Sequence, residues 1–337
     1  MKISSSSRVV LARPGDEMPH ATSGDTNWQE SVVIFVWDME QKCFAYLRIG
    51  HEHGYGPGGT AVVWCNIWVP GLYFKRYEDL PLHAEDKLSS GFGGGAISRY
   101  TYDGRHHWSV TDPQVSATFI MEDIHPAFDF FPHKNNLGEI AASHFEATGR
   151  VSGTISFQGK TFELRNAVGY RDHSWGVRNW EGMRTYRWLP AIFGDDFIAQ
   201  PIGMIGPDRT LRQIGYIYRD GEILIPTDIS IVTFMEADGM SSRGGLANFT
   251  LESGEQLEVR YHNIVPGAMN RHRHLPCSET MATVTCGNRS GVGAYTIAEN
   301  TMSGTELPSQ DMLIGVYIDN GIFPYQYGTS VISKSTP

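Results

Sequence analysis

Residues 144–157, HFEATGRVSGTISF, alternate polar residues with small or apolar ones over fourteen consecutive positions. This period of two fits an extended strand, because neighbouring side chains of a strand point to opposite faces, and it fits no helix. A strand of this length with one apolar and one polar face is more typical of a curved barrel or sandwich wall than of a parallel α/β sheet. Gly149 and Gly153 would let it bend. The stretch therefore predicts an all-β fold.

Apolar runs separated by turn residues extend this strand pattern in both directions. Residues 31–37 and 43–49 predict one hairpin, and residues 61–69 and 72–77 predict a second one, joined through Pro70-Gly71. Further turns are predicted at Gln158-Gly159-Lys160, Asp220-Gly221 and Ser253-Gly254. Because two strands joined by a short turn run in opposite directions, these hairpins predict antiparallel sheets.

The hairpins divide the 337 residues into two β modules of about 150 residues each. We predict two tandem antiparallel β-barrels or sandwiches, an N-terminal domain over residues 1–182 and a C-terminal domain over residues 183–337. Residues 77–89 and 301–312 could each hold one short helix. No Pro- or Ser-rich linker separates the modules, so we expect a close interface, which is where small-molecule pockets often lie.

Charge and hydropathy exclude several classes of function. The net charge is −10, and only 7 of the 27 basic residues are Lys, with no basic run that could neutralise successive phosphates. Nucleic-acid binding is therefore not expected. The first seven residues lack an apolar signal core, and no apolar run approaches the ~20 residues that cross a membrane. We expect a cytoplasmic protein without membrane insertion, present as a monomer or homodimer.

Cofactor and metal motifs are weak. The four cysteines are widely spaced with no Cys-x-x-Cys, so we expect reduced, buried thiols. Gly91 to Gly95 resemble a phosphate loop, but the segment that follows is strand-like and a phosphate loop needs a helix there. The histidine pairs lie at His51-x-His53, His106-His107 and His272-x-His274, and none has a third ligand at a diagnostic spacing. We predict no cofactor and no metal.

The segment GYRDHSWGVRNW, residues 169–180, concentrates aromatic, basic and acidic side chains. In a structural interpretation its tryptophans fill an interface while Arg171 and Asp172 tie loops together. In a functional interpretation an Asp or His held among aromatic rings has a perturbed pKa and moves protons at neutral pH. The two interpretations can hold for different residues. Asp172-His173-Ser174 is not a hydrolase triad, because consecutive side chains point apart.

GYRDHSWGVR at residues 169–178 resembles the motif of the carotenoid 1,2-hydratase-like superfamily, also called CrtC-like or AttH-like. DTNWQES at residues 25–31 and GVGAYTIAEN at residues 291–300 resemble elements of its bacterial branch. The resemblance covers nearly the full chain. It implies tandem lipocalin-like β-barrels and ligand chemistry in a largely apolar cavity. Relatives hydrate isoprenoid double bonds or, among fungal Diels–Alderases, perform cycloadditions, so the reaction type does not transfer with the fold. The acidic catalysis of the carotenoid enzyme carries over only to Asp172.

These observations favour a cofactor-free acid/base enzyme acting on a hydrophobic terpenoid, steroid, polyketide or aromatic molecule. Water addition or removal, the reaction of a hydratase or dehydratase, is the main expectation. Asp172 or Glu30, with a pKa raised by burial, would protonate an alkene or a leaving hydroxyl group. His173 would accept or orient a proton.

Other side chains are candidates for substrate binding. Those near the central motif that would line the site or hold an oxygenated group are Trp28, Tyr170, Arg171, Trp175 and Arg178. The alternative for the two arginines is a structural salt bridge. Tyr46, Trp64 and Asn66 lie on predicted strands and could face a cavity, with core packing as the alternative for Trp64. His51 belongs to a histidine-rich loop, and the acid/base assignment would move toward it if its ring reached the cavity.

Two alternative functions remain open. An isomerase or pericyclase with the same fold would mainly shape its substrate, and it predicts substantial residual activity after Asp172→Asn. A carrier of a lipophilic ligand would bind without transforming, as many lipocalin-like barrels do. Burial of Asp172, His173 and Glu30 around one cavity would favour catalysis, whereas an entirely apolar cavity would favour transport.

Overall fold

A computed structural model of the chain describes residues 10–130, 141–206, 210–236, 242–265, 267–272, 275–300 and 316–319. Within these residues the regular structure is strand, apart from two short 3-10 turns at Pro14–Glu17 and Ala84–Asp86. The described residues up to Arg178 form one compact unit, and those from Asn179 onward form a second. Among the described residues there is no helix of the length and apolar character needed to cross a membrane.

The first unit contains one sheet of twelve described strands. They are β1 Trp28–Asp38, β2 Cys43–Glu52, β3 Thr60–Val69, β4 Leu72–Pro81, β5 Lys87–Leu88, β6 Gly91–Gly94, β7 Ser98–Tyr102, β8 His106–Thr111, β9 Val115–Asp123, β10 Phe128–Asp129, β11 Ser143–Phe157 and β12 Lys160–Val177. The order across the sheet is β4-β3-β2-β1-β12-β11-β9-β8-β7-β6-β5, with β10 paired to β11. All its strand pairs are antiparallel.

The second unit contains the other sheet. Its strands are β13 Thr185–Trp188, β14 Ala191–Ile192, β15 Phe197–Ile205, β16 Leu211–Arg219, β17 Glu222–Leu224, β18 Asp228–Glu236, β19 Ser242–Thr250, β20 Gln256–Asn263, β21 Ala268–His272, β22 Leu275–Cys286, β23 Arg289–Glu299 and β24 Val316–Asp319. The order is β17-β16-β15-β13-β23-β22-β20-β19-β18-β24, with β14 and β21 at the side. These pairs are antiparallel except that β24 runs parallel to β18. Its core includes Phe197, Ile217, Val259 and Tyr295.

The alternating stretch is strand β11, as predicted. It pairs with β9 and β12 along most of its length, and the register shifts between Val151 and Gly153. Gly153 has φ 155, and a Cβ there would collide with the carbonyl oxygen of Thr118 on β9. Where the sequence predicts a bend, β11 therefore has a β-bulge in its pairing with β12, and its backbone approaches that of β9 closely at Gly153.

The first sheet curls on itself around an apolar core. The His51 ring of β2 hydrogen-bonds through Nε2 to the carbonyl oxygen of Gly93 on β6, at 2.8 Å, although these strands are far apart in the sheet order. The core contains Val32, Ile34 and Val36 of β1, together with the apolar side chains of the neighbouring strands that point to the same side. We call this side of the sheet the core face. The other side, which carries Val33, Phe35 and Trp37, is the opposite face.

The predicted hairpins and the all-β class are confirmed, and one detail differs. The strand predicted over residues 72–77 continues to Pro81 as β4, and the short helix expected within residues 77–89 is the three-residue 3-10 helix Ala84–Asp86. The candidate helix at 301–312 lies outside the described residues. The predicted domain boundary at 182/183 falls in the connection between Val177 and Thr185, and it stays a prediction.

Candidate functional site

Strand alternation sorts the predicted site residues onto two faces. On β12, Tyr170 and Asp172 lie on the opposite face, whereas Arg171, His173 and Trp175 lie on the core face. The structure therefore does not bring Asp172 and His173 together, although they are neighbours in the chain. The remaining candidates divide in the same way. Trp28, Glu30 and His51 are on the core face, and Tyr46, Trp64 and Asn66 are on the opposite face.

On the opposite face Asp172 belongs to a buried acid/base cluster. His144 Nε2 lies 2.7 Å from Glu146 Oε1 and 3.5 Å from Asp172 Oδ2. Tyr170 donates its hydroxyl hydrogen to Glu146 Oε2. All four side chains are buried. Asp172 Oδ1 has no hydrogen-bond partner among the residues that the structure describes, so it is the oxygen left to meet a ligand.

Burial and neighbouring charges raise the pKa of two groups in the cluster, Glu146 and His144. Burial raises the pKa of Glu146, and the hydrogen bonds from His144 and Tyr170 offset only part of that effect. Burial alone would lower the pKa of His144, but the charges of Asp172 and Glu146 outweigh it and raise that pKa. A carboxyl and an imidazole that both retain protons more strongly are suited to general acid catalysis near neutral pH.

His144 and Glu146 were not among the predicted site residues. They lie on the polar side of the same stretch that predicts the fold, two residues apart, so a shared face was predictable. Their burial was not, because a polar strand face is ordinarily solvated. The signal available in the sequence was the pairing of a His and a Glu at this spacing.

One cross-strand row connects the cluster to the rest of the opposite face. Glu146 pairs with Asp172, Asp172 with Val33, Val33 with Arg48, and Arg48 with Trp64. Adjacent strands are about 4.8 Å apart, so the backbones at Asp172 and Arg48 are about 10 Å apart with Val33 between them. The acid/base cluster and the Arg48–Trp64 pair thus lie at two ends of one stretch of the opposite face, which we call the floor.

Aromatic rings cover this floor. Phe35 and Tyr46 have ring centroids 4.4 Å apart, and Tyr46 and Trp64 have centroids 6.1 Å apart. The Arg48 guanidinium lies 4.8 Å from the centre of the Trp64 ring. Asn66, in the next row beside Tyr46, is fully buried. Three predicted binding residues, Tyr46, Trp64 and Asn66, therefore share a face with Asp172.

Arg178 follows the end of β12. Its Nη2 donates to the carbonyl oxygen of Ser174 at 2.9 Å and to Ser174 Oγ at 3.2 Å. Burial and the charge of Arg48 lower the pKa of Arg178 to about 10, against the opposing charge of Asp172. Arg178 thus ties down the strand end and adds positive charge near Asp172.

A second cluster lies on the core face around Glu30. Glu30 Oε1 accepts from His20 Nδ1 at 2.7 Å and from His173 Nε2 at 2.9 Å, and Oε2 accepts from the His20 backbone N–H at 2.9 Å. Burial alone would raise the pKa of Glu30, but the hydrogen bonds from His173 and His20 lower it to about 2. The expectation of a raised pKa at Glu30 is therefore wrong. Glu30 is an ionised carboxylate that orients two imidazoles rather than a proton donor.

Aromatic rings surround this second cluster. His20 stacks on Trp175 with centroids 3.6 Å apart, and the rings of Phe145 and Phe92 lie 5.2 and 5.5 Å from that of His173. The side chain of His51 is adjacent. Its ring centroid lies 5.1 Å from that of Phe92, and burial lowers the pKa of His51. The ring centroids of Trp28 and His53 are 5.3 Å apart.

Arg171 is held by carboxylates. Its Nη2 lies 2.6 Å from Glu17 Oε1, and its Nε lies 2.9 Å from Asp123 Oδ1. Burial opposes the charged guanidinium, yet the charges of Asp123 and Glu17 raise the pKa of Arg171 well above its ordinary value. These contacts favour the structural alternative for Arg171.

Three groups of side chains have geometry that could accept a metal ion. They are His20, Glu30 and His173; Glu17, His106 and Asp123; and His144, Glu146 and Asp172. Two imidazoles with one carboxylate are a donor set that zinc accepts. In the first group, however, His173 Nδ1 has no hydrogen-bond partner within the described residues, whereas zinc-bound imidazoles ordinarily donate their second N–H to an acceptor. Neither His51 with His53 nor His106 with His107 belongs as a pair to one of these groups, and His274 lies outside the described residues.

The fold and its burial pattern define a class of protein. Two consecutive sheets, antiparallel apart from the β18–β24 pair and the first curled around its own core, form a tandem lipocalin-like fold, as the sequence resemblance implied. Residues 13–301 match the family described as "Domain of unknown function (DUF7064)", and the chain belongs to that family. A search of curated proteins finds no match to the sequence.

Several solved structures share this fold. An AttH-type protein from Nitrosomonas europaea superposes with a TM-score of 0.66 at 14% identity, over 86% of this chain and 97% of that one. CghA superposes with a TM-score of 0.61 at 11% identity, over 83% and 90% of the two chains. Kievitone hydratase from Nectria haematococca gives a TM-score of 0.61 at 8% identity, over 89% and 96%. At these identities the likeness establishes the fold alone.

Proposed function

We propose that this protein is an acid/base enzyme of the hydratase or dehydratase type acting on a hydrophobic small molecule, with its own side chains carrying the proton transfers. The observation that carries the proposal is the buried cluster of His144, Glu146 and Asp172 beside an aromatic floor, with Asp172 Oδ1 unpartnered among the described residues. The hydratase among the structurally similar proteins supports the same class of reaction.

The cluster accounts for both halves of a hydration. Asp172, through Oδ1, delivers a proton to one alkene carbon, and the positive charge that develops on the other carbon faces the rings of Phe35, Tyr46 and Trp64. Water then bonds to that carbon. The proton that the water loses returns to the cluster, where His144 and Glu146 share it. Dehydration is the same sequence reversed: the His144–Glu146 pair returns its proton to the leaving hydroxyl group, water departs, and the Asp172 carboxylate removes the proton from the neighbouring carbon.

The partner of Asp172 in this mechanism is His144 and not His173. His144 Nε2 is 3.5 Å from Asp172 Oδ2, whereas His173 faces the core and contacts Glu30. Tyr170, which the sequence placed among the binding residues, acts here by its hydrogen bond to Glu146. It positions the carboxyl group on which the shared proton depends.

The experiment begins with native mass spectrometry of protein purified from its own host, followed by organic extraction of any bound compound. The compound is then incubated with the protein in H₂¹⁸O, and ¹⁸O incorporation is measured by mass spectrometry. We expect incorporation with the wild type and with the surface control Asp103→Asn, and at least a hundredfold loss with Asp172→Asn.

Other results contradict the proposal. Substantial turnover by Asp172→Asn with no ¹⁸O incorporation would indicate an isomerase or pericyclase. A compound that co-purifies but is returned unchanged would indicate a carrier. Loss of activity in Glu30→Gln with full activity in Asp172→Asn would place the reaction on the core face instead.

A further inference from the structure

Arg48 is a buried charge with no ion-pair partner among the described residues. Its side chain is 1% exposed, and neither Nη1 nor Nη2 has a hydrogen-bond partner among the described residues. An arginine cannot discard its charge, and an uncompensated buried charge is strongly destabilising. A residue placed at this cost calls for an explanation beyond packing.

The surroundings hold the guanidinium in one place. It lies over the Trp64 ring, and a Cβ at position 50 would come within 2.6 Å of both Nη1 and Nη2, so the group rests directly on the backbone of Gly50. Only a residue without a side chain leaves that space. Stacking above and glycine below fix the donor atoms before any ligand arrives.

Other unpartnered groups nearby are donors as well. Asn66 accepts from the Tyr73 hydroxyl at 3.1 Å, but its Nδ2 has no partner within the described residues, and neither does Trp68 Nε1 on the same face of β3. Arg178 lies close enough to Arg48 for the charge of Arg48, together with burial, to lower the pKa of Arg178. Buried donors without partners around a guanidinium match an oxygen-bearing anion.

We propose that Arg48 and Asn66 form an anion-binding subsite that takes the carboxylate, or an ionised enol or phenol oxygen, of the hydrophobic substrate. The inference rests on the proposed function because the same ligand would reach Asp172. The row from Asp172 through Val33 to Arg48 spans about 10 Å of backbone, so the anionic oxygen and the reacting carbon are separated by roughly one or two fused rings. The substrate is thus a hydrophobic acid rather than a neutral hydrocarbon.

The test compares two fluorescent probes that differ in charge. One is 8-anilinonaphthalene-1-sulfonate, and the other is N-phenyl-1-naphthylamine, which has the same rings without the sulfonate. Dissociation constants are measured by titration of the full chain. We expect Arg48→Met to weaken binding of the sulfonate probe at least tenfold and to change the neutral probe less than twofold, with Arg48→Lys between. Arg165→Met, which removes an exposed arginine, should change neither.

Energy transfer from tryptophan to the bound probe shows where the probes bind, because Trp64→Phe removes the donor nearest the subsite. Energy transfer could fall in Trp64→Phe while both probes bind Arg48→Met as tightly as the wild type. This result would overturn the anion subsite but would still place the ligand on the opposite face. An equal loss of both probes in Arg48→Met also overturns it, since Arg48 would then only shape the site. Energy transfer that is unchanged in Trp64→Phe would contradict ligand binding on the opposite face, and the proposed function with it.

Discussion

Replacing Glu30 with glutamine is expected to lower the free energy of unfolding by about 3 kcal/mol at pH 7 and by much less in acid. Burial opposes the Glu30 charge, yet His173 and His20 lower its pKa from 4.5 to about 2. A carboxyl whose pKa is lower in the folded chain stabilises the fold above the unfolded value, and this contribution is lost as the pH falls through the folded value. A decrease from 4.5 to about 2 corresponds to about 3 kcal/mol.

The assay is urea unfolding followed by tryptophan fluorescence between pH 3 and pH 7. The difference between wild type and Glu30→Gln should stay near 3 kcal/mol down to about pH 5 and shrink to about 1 kcal/mol at pH 3. Glu163→Gln is the control, because its ion pair with Arg165 is exposed to solvent and contributes little to stability. A difference that stays constant across this pH range would refute the argument, since the lowered pKa of Glu30 would then not stabilise the fold.

Three further outcomes concern Arg48, the neighbouring Gly50 and, on β11, Gly153. Arg48→Met should raise the free energy of unfolding of the ligand-free protein by about 1–3 kcal/mol in urea titrations, because it removes a buried charge; a decrease would indicate a structural role. Gly50→Ala should displace the guanidinium and weaken 8-anilinonaphthalene-1-sulfonate binding several-fold while calorimetry shows a similar melting temperature; unchanged binding would mean that Gly50 does not seat Arg48. Gly153→Ala should cost several kcal/mol of stability, since its Cβ collides with the Thr118 carbonyl oxygen, and a stable variant would contradict the bulge.

Local pattern was sufficient to predict the strands. The alternation in residues 144–157 and the turn residues at Pro70-Gly71 act between neighbours in the chain, so β11 and the β3–β4 hairpin could be predicted without knowledge of the fold. The strand predicted over residues 72–77 is longer in the structure for the converse reason. Pairing with β3 extends β4 to Pro81, and a pairing of that kind is a tertiary interaction.

The candidate site was predicted only in part. Asp172, Tyr46, Trp64 and Asn66 were named from residue type and do share one face, but the imidazole beside Asp172 belongs to His144 and not to His173. His144 lies 28 positions away from Asp172 in the sequence and reaches it only because β11 and β12 pair with His144 beside Ser174. Nothing in the local sequence specifies that register.

The sequence by itself determined that the chain forms strands, that these strands pair as hairpins, and which side chains of each strand share a face, since all three follow from interactions over a few residues. Only the tertiary structure decided which face closes around the core and which polar residues are buried. It also decided that His173 on β12 lowers the pKa of the Glu30 carboxyl on β1, while the preceding residue, Asp172, joins a different cluster. The reason is physical: burial and register depend on strands far apart in the chain, and the same alternating pattern is compatible with more than one way of pairing them.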